Sequence, residues 1–421
     1  MIPSMDDSLA AYDFVTPPLI RFGAGRIAEI GEVVGLLGRR AWIVGGGRSL
    51  AESGARQRLD ASLAAAGIEM RLIATSRGEP TVDHVAAALA AVAHEDRDGV
   101  VMVAVGGGAT IDLAKAVAAI VTNMPEDIGS SPGLESHLDS IVVDHLEGVG
   151  RGFTIRHWPV PVVAVPTTAG TGAEATRNAV ISCPRRGFKK SMRSPMMVPR
   201  AAIVDPDLTA SCGLDTIAAS GLDCITQLIE SFVCRFAKPL PRALVLESLP
   251  RAIRALPRLL DPATAGDATK QPADTRAADR AAMSHAALLS GMALTNSGLG
   301  LAHGVAAALG IACGASHGVA CAIMLPTALR LNRAVVADDF AMLERAIDPG
   351  ASSDDAVAAD AFVDRIERLC KIAGLPARLS DLGVGAEQLD WLAENSGGAS
   401  MRGNPVQLPT PKLRSLLAAL L

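Results

Sequence analysis

The sequence predicts a parallel α/β domain over residues 1–208 followed by an all-helical domain over residues 209–421. Three observations lead there. Apolar, β-branched runs such as VVMVAV (100–105) alternate with helix-patterned stretches up to about Asp207. Such runs suit strands buried on both faces by crossover helices. Beyond Asp207 the strand signals stop, and helical patterning continues to Leu421. Finally, 421 residues is long for one hydrophobic core, given roughly 100–200 residues per domain.

Taken in order, PPLIRFGAG (17–25) reads as a short extended segment closed by glycines, and AWIVGGG (41–47) as a buried strand ending in three more. A helix pattern over 49–66 leads to a second strand at 69–75. Another helix at 81–95 leads to VVMVAV, which runs into Gly106-Gly107-Gly108 and a helix over 109–121. Residues 123–157, rich in Pro, Gly, Ser and acidic groups, break the alternation and read as a surface excursion. Regular structure resumes at PVVAVPTTAGTGAEAT (161–176), passes a basic loop around Lys189-Lys190, and ends with AAIVDPDL (201–208).

In the helical half, residues 281–329 contain no Asp, Glu, Lys or Arg but carry His285, His303 and His317. Glycines interrupt every span of about 20 apolar residues, so a protein core suits this run better than lipid. Buried histidines need partners. Along one helix His303 and His317 would lie roughly 21 Å apart, too far for one ligand to bridge. Cys313-Gly314-Ala315-Ser316 reads as a break between two helices, and two helices meeting at a turn can bring both imidazoles to one point. Asp223 and Gln227 stand four apart on one helix face, with Glu230 on roughly the same side. One carboxylate and two imidazoles with an open position suit a catalytic Zn2+ or Fe2+. The competing reading is an ordinary core with satisfied histidines.

A glycine triplet between a buried strand and a helix lets backbone approach an anion at the helix N-terminus. It is not the GxGxxG fingerprint. PTTAGTGAE (166–174) adds hydroxyls and glycines after another strand, suited to a cofactor crevice. At Gly46-Gly47-Arg48-Ser49 no acidic residue is present to hold a ribose 2′-OH, which favours a 2′-phosphate and hence NADP.

Net charge of −5 and 3% aromatic residues argue against a nucleic-acid or anionic-membrane surface. Seven cysteines, odd in number and without CxxC spacing, favour reduced thiols. With an acidic start lacking a signal-peptide pattern, the expected compartment is the cytoplasm.

Several motifs together resemble the iron-containing (group III) alcohol dehydrogenases, in the superfamily with glycerol dehydrogenase, maleylacetate reductase and dehydroquinate synthase. GGGATIDLAK (106–115) is similar to GGGSxxDxAK, and PTTAGTGAEAT (166–176) to PTTAGTGSEVT. IVDPDL (203–208), GLDCITQLIES (221–231), GLGLAHGVAAALG (298–310) and SHGVACAIMLP (316–326) follow in the family's order. The resemblance implies a Rossmann-like domain, an all-α domain, and a cleft between them holding NAD or NADP and a divalent metal. It places metal ligands at Asp223, His303 and His317, the groups expected to carry catalysis, and puts Gln227 where a further His ligand stands, as a weak fourth ligand of the metal or a donor behind the other three. It places cofactor contacts at Gly46, Gly106, Gly107, Gly108, Ala109, Asp112, Thr167, Thr168, Thr171 and Lys189. Ala307 occupies the position of a further active-site His. The implied reaction is metal-assisted hydride transfer between a small alcohol or aldehyde and the nicotinamide, in a homodimer or larger oligomer. The alternatives are a metal-independent reductase of an unsaturated oxo-acid, resembling maleylacetate reductase, a dehydroquinate-synthase-like lyase, and a binding protein that kept only the scaffold.

Overall fold

The computed structural model describes residues 11–46, 54–76, 78–125, 134–261 and 273–421. Its first half contains strands β1 (Leu19–Phe22), β2 (Arg40–Gly46), β3 (Glu69–Ser76), β4 (Val100–Gly106), β5 (Val162–Pro166), β6 (Asn178–Cys183), β7 (Phe188–Arg193) and β8 (Ala201–Val204). Interleaved are helices α1 (Ile30–Gly35), α2 (Ala55–Ala65), α3 (Val82–Ala90), α4 (Gly108–Val121) and α5 (Leu134–Asp144). Six strands form a parallel sheet in the order β1-β8-β5-β4-β2-β3. Successive side chains alternate between its faces. Trp42, Val44, Met102 and Ala104 enter one core, with α3, α4 and α5. Ala41, Ile43, Val101, Val103 and Val105 enter the other, with α2. Continuous apolar runs result because both faces are covered.

The strand order positions a ligand. From β2 the chain steps outward to β3, then crosses back so that β4 lies on the other side of β2. That reversal opens a crevice beyond the C-terminal ends of β2 and β4, where open α/β sheets bind their ligands. Gly46 ends β2 and Gly106 ends β4 there. Gly47, Arg48 and Ser49, which bear on the NADP reading, lie outside the described residues.

Two sequence expectations need correction here. The stretch 123–157 is no mere surface excursion: α5 lies within it, and Leu138, Ile141, Val142 and Leu146 are buried in the core beside α3. Helical spacing was present at those positions but was masked by Pro, Gly and Ser on either side. Lys189 and Lys190 are not in a loop. They belong to β7, which pairs antiparallel with β6 in a separate ribbon held to the core by Ala179, Ile181 and Met192.

The second half is helical throughout its described residues: α6 (Leu214–Val233), α7 (Pro239–Leu260), α8 (Ala273–Ser297), α9 (Leu301–Cys313), α10 (His317–Asn332), α11 (Ala337–Ile347) and α12 (Asp355–Ala373), then shorter helices to Ala418. Every residue of α6 from Gly221 to Val233 is buried, so this helix is the axis around which α7, α8 and α10 pack. Gly314 in the left-handed region (φ 70°) ends α9 and lets α10 start at His317. Among the described residues no single helix is long and apolar enough to cross a membrane, and all seven cysteines are free thiols.

Candidate metal and cofactor site

The α9–α10 break does what the spacing predicted. His303 and His317, at the start of the two helices, bring their ring centroids to 5.4 Å. Asp223 on α6 faces them, its Oδ1 3.3 Å from His303 Nε2 and 3.9 Å from His317 Nε2. Asp223 and His303 are 2% and 6% exposed, yet Asp223 Oδ1 and His303 Nε2 have no hydrogen-bond partner. Buried polar atoms are rarely left so, and such a pair marks a place suited to a cation or a water.

The other atom of each group is occupied. Asp223 Oδ2 accepts a hydrogen bond from Gln227 Nε2 at 3.0 Å, and Gln227 Oε1 accepts one from Ser290 Oγ at 2.7 Å. His303 Nδ1 meets Glu230 Oε2 at 2.7 Å. Glu230 also accepts from the backbone N–H groups of Gly300 (2.9 Å) and Ala302 (2.7 Å), closing the N-terminus of α9 from another helix. A carboxylate at Nδ1 keeps a proton there and leaves Nε2 as the atom that faces Asp223. Burial opposes the charge on Asp223, but His303 and His317 hold its pKa below the ordinary carboxylate value. Buried carboxylates facing an unpartnered imidazole nitrogen make a place for positive charge, and these residues fit a divalent cation.

The structure therefore brings together Asp223, His303 and His317, with Gln227 behind Asp223. It adds one side chain that the sequence analysis passed over. Cys321, one turn after His317 on α10, has its Sγ 3.8 Å from His317 Nε2. The ligand atoms of Asp223, His303, His317 and Cys321 all lie within 4.8 Å of one another. Burial pushes the Cys321 thiol up to about 12.

On the sheet side, Gly107 starts α4 with no side-chain cap, and the loop after β5 lies against the glycine turn. A Cβ on Gly107 would sit 3.4 Å from Thr168 Oγ1, and one on Gly108 only 2.4 Å from Thr171 Oγ1. Loop packing thus requires Gly108 whether or not an anion binds. The Thr167 N–H donates to Gly106 O at 3.0 Å, while its Oγ1 is buried without a partner. Ala109 occupies the first turn of α4. Lys189 pairs with Glu79, and its charge reaches His317.

Asp112 faces elsewhere. Its Oδ2 accepts from Val180 N–H at 3.0 Å and its Oδ1 lies 2.9 Å from Lys115 Nζ, fastening α4 to β6. Lys115, 1% exposed, also donates to Ala173 O and Thr176 Oγ1. Next to this network, burial raises the Glu174 pKa to about 7 even though the Lys115 charge opposes it. A carboxyl whose folded pKa lies above its unfolded value favours folding most below the unfolded pKa. That contribution is lost as pH rises to the folded value. Stability should therefore fall between about pH 4.5 and 7, by up to about 3 kcal/mol from this group. Urea denaturation at pH 5 and pH 8 should show Glu174→Gln losing less between the two than wild type. Equal losses would contradict the assignment.

The chain thus combines a parallel sheet with a crevice beyond β2 and β4 and a helical half with a buried carboxylate–imidazole cluster, and its relatives are oxidoreductases acting on alcohols and aldehydes. The chain belongs to the iron-containing alcohol dehydrogenase family, whose profile matches residues 17–206 and whose C-terminal profile matches residues 217–421. It is 30% identical over 408 residues to the probable alcohol dehydrogenase EutG of Escherichia coli, covering 96% of this chain and 94% of that one. It is also 30% identical over 392 residues to 1,3-propanediol dehydrogenase of Klebsiella pneumoniae, covering 92% of each. The sulfoacetaldehyde reductase of Bifidobacterium kashiwanohense, solved in complex with NAD+, superposes with a TM-score of 0.79 at 26% identity, covering 98% of this chain and 99% of that one.

Proposed function

We propose that this chain catalyses reversible hydride transfer between a small alcohol or aldehyde and a nicotinamide cofactor, with NADP(H) preferred over NAD(H). Asp223, His303 and His317 hold a divalent cation, Fe2+ or Zn2+. The observation that carries this reading is the convergence of buried, unpartnered Asp223 Oδ1 and His303 Nε2 on one point beside His317. A cation bound there supplies Lewis acidity toward the substrate oxygen.

The chain's own groups do the rest. Residues 1–208 form the cofactor domain and residues 209–421 the metal and substrate domain. The α4 N-terminus and the Gly106-Gly107-Gly108 turn receive the pyrophosphate, with Ala109, Thr167, Thr168 and Thr171 alongside. Gly46 at the end of β2 leaves room for a 2′-phosphate where an acidic side chain would repel one. Gln227 serves as a positioning residue for the Asp223 carboxylate. Lys189 places positive charge near His317, and Asp112 supports the turn through β6. Because Ala307 offers no proton donor one turn beyond His303, water delivers the proton in the reducing direction. The protein works as a cytoplasmic homodimer or larger homo-oligomer, on small molecules and not on nucleic acid or membrane.

The relatives named above carry alcohol or aldehyde names, which does not favour metal-independent reduction of an unsaturated oxo-acid. The test is elemental analysis of anaerobically purified protein, with NADPH- and NADH-dependent aldehyde reduction before and after chelation. Near-stoichiometric Fe or Zn is expected, with activity falling at least about a hundredfold on chelation, because Lewis-acid stabilisation is worth several kcal/mol. Full activity in metal-free protein would sink this reading and restore the metal-independent one. A higher kcat/KM with NADH would refute the coenzyme preference.

A further inference from the structure

We infer that Cys321 is itself a ligand of the cation, filling the fourth protein position that Gln227 leaves empty. The inference rests on the metal reading given under Proposed function. Gln227 is the donor expected one turn after Asp223, but its oxygen is turned away and bonded to Ser290 Oγ at 2.7 Å. Its nitrogen faces Asp223 Oδ2 at 3.0 Å. A carboxylate only accepts hydrogen bonds, so the amide cannot be reversed to bring its oxygen forward.

On the opposite wall, α10 supplies a replacement one turn after His317. The Cys321 side chain is fully buried, its Sγ is 3.8 Å from His317 Nε2, and its other polar neighbours are Asp223 and His303. Zinc–sulfur and zinc–nitrogen bonds of about 2.3 and 2.1 Å put such a pair about 3.6 Å apart in a tetrahedron, and an oxygen–nitrogen pair about 3.3 Å apart. Cys321 Sγ lies 3.8 Å from His317 Nε2, and Asp223 Oδ1 lies 3.3 Å from His303 Nε2 and 3.9 Å from His317 Nε2. All four ligand atoms are within 4.8 Å of one another, and a cation at their centre draws them inward by a few tenths of an ångström or more. Charge fits as well. One Asp223 carboxylate and one Cys321 thiolate neutralise a divalent cation, while Glu230 is answered by His303 and the N-terminus of α9. Binding then releases the thiol proton to solvent as the metal–sulfur bond forms, with no electron transferred. Thiolate among the donors favours Zn2+ over Mg2+ and Mn2+.

Full-length protein stripped of metal and loaded with Co2+ tests this without any turnover. A strong near-ultraviolet thiolate-to-cobalt charge-transfer band is expected. X-ray absorption of the zinc form should show one sulfur at about 2.3 Å. Cys321→Ser and Cys321→Ala should lose both signals and bind Zn2+ at least about tenfold more weakly. Stoichiometric Co2+ without the band, or zinc with only light neighbours, would overturn the thiolate ligand and leave the Asp223/His303/His317 site standing. Failure to bind either metal would overturn both. Should the variants not fold, the wild-type spectra still decide.

Discussion

Glu230→Ala is expected to lose about 4 kcal/mol of stability and to weaken metal binding about 10–100-fold, although Glu230 lies outside the proposed ligand set. Its two oxygens accept from Gly300 N–H, Ala302 N–H and the His303 ring, all in the interior. Truncation leaves these donors unpaired in the protein interior, at about 1–3 kcal/mol each. It also opens space between α6 and α9. Gln cannot rescue the arrangement, because its amide nitrogen would face N–H donors already aimed at that position. Glu230→Gln should therefore lie between alanine and wild type. The metal effect has a separate origin, since without the carboxylate at Nδ1 nothing fixes which His303 nitrogen carries the proton. Urea denaturation of metal-free protein and competition with a chromophoric chelator read the two effects independently. A Glu230→Ala protein within 1 kcal/mol of wild type would show that the cap contributes little.

What the sequence made legible at this site, and what it hid, follows from the range of the interactions. Asp223, His303 and His317 could be read because ionisable groups stand out on apolar helices and the Gly314 break is local. Gln227 was visible as a helical neighbour of Asp223, but the direction of its amide is set by Ser290 on α8, 63 positions away. Glu230 was likewise seen on the right face. Its partners at the start of α9 lie about 70 residues on, so no local pattern gives its role. Cys321 had the one-turn spacing from His317, yet a small thiol on an apolar helix reads as packing until three donors are seen around it. Asp112 sits inside a phosphate-turn motif but is engaged by Val180, because β6 happens to cross α4. The sheet was the easier part, since alternation and apolar runs are properties of the chain itself. The ribbon of β6 and β7 was missed because only its inner residues are apolar.

The second large effect is expected at Gly172 and Gly291, where the loop after β5 meets the helical half backbone to backbone. A Cβ on Gly291 would lie 2.1 Å from Gly172 O, and one on Gly172 would lie 2.5 Å from both Ala287 O and Gly291 Cα. These are backbone atoms of a helix and a tight loop, so no side chain can swing aside. Gly172 also holds φ at +59°, where any other residue pays roughly 1–2 kcal/mol. Gly291→Ala should therefore destabilise the protein by about 3 kcal/mol, at the upper end for overpacking, and Gly172→Ala by more. The consequence reaches the reaction, because the same loop carries Thr168 and Thr171 over the glycine turn while α8 carries Ser290, which orients Gln227 behind Asp223. Forcing the seam apart displaces the proposed cofactor contacts and the proposed metal ligands relative to each other, and hydride transfer is sensitive to about 1 Å of such error. Gly291→Ala should thus raise the KM for NADPH and lower kcat together, in protein that still binds metal. A variant with wild-type melting behaviour and unchanged kcat would show that the seam yields, and that the two halves are not held in register here.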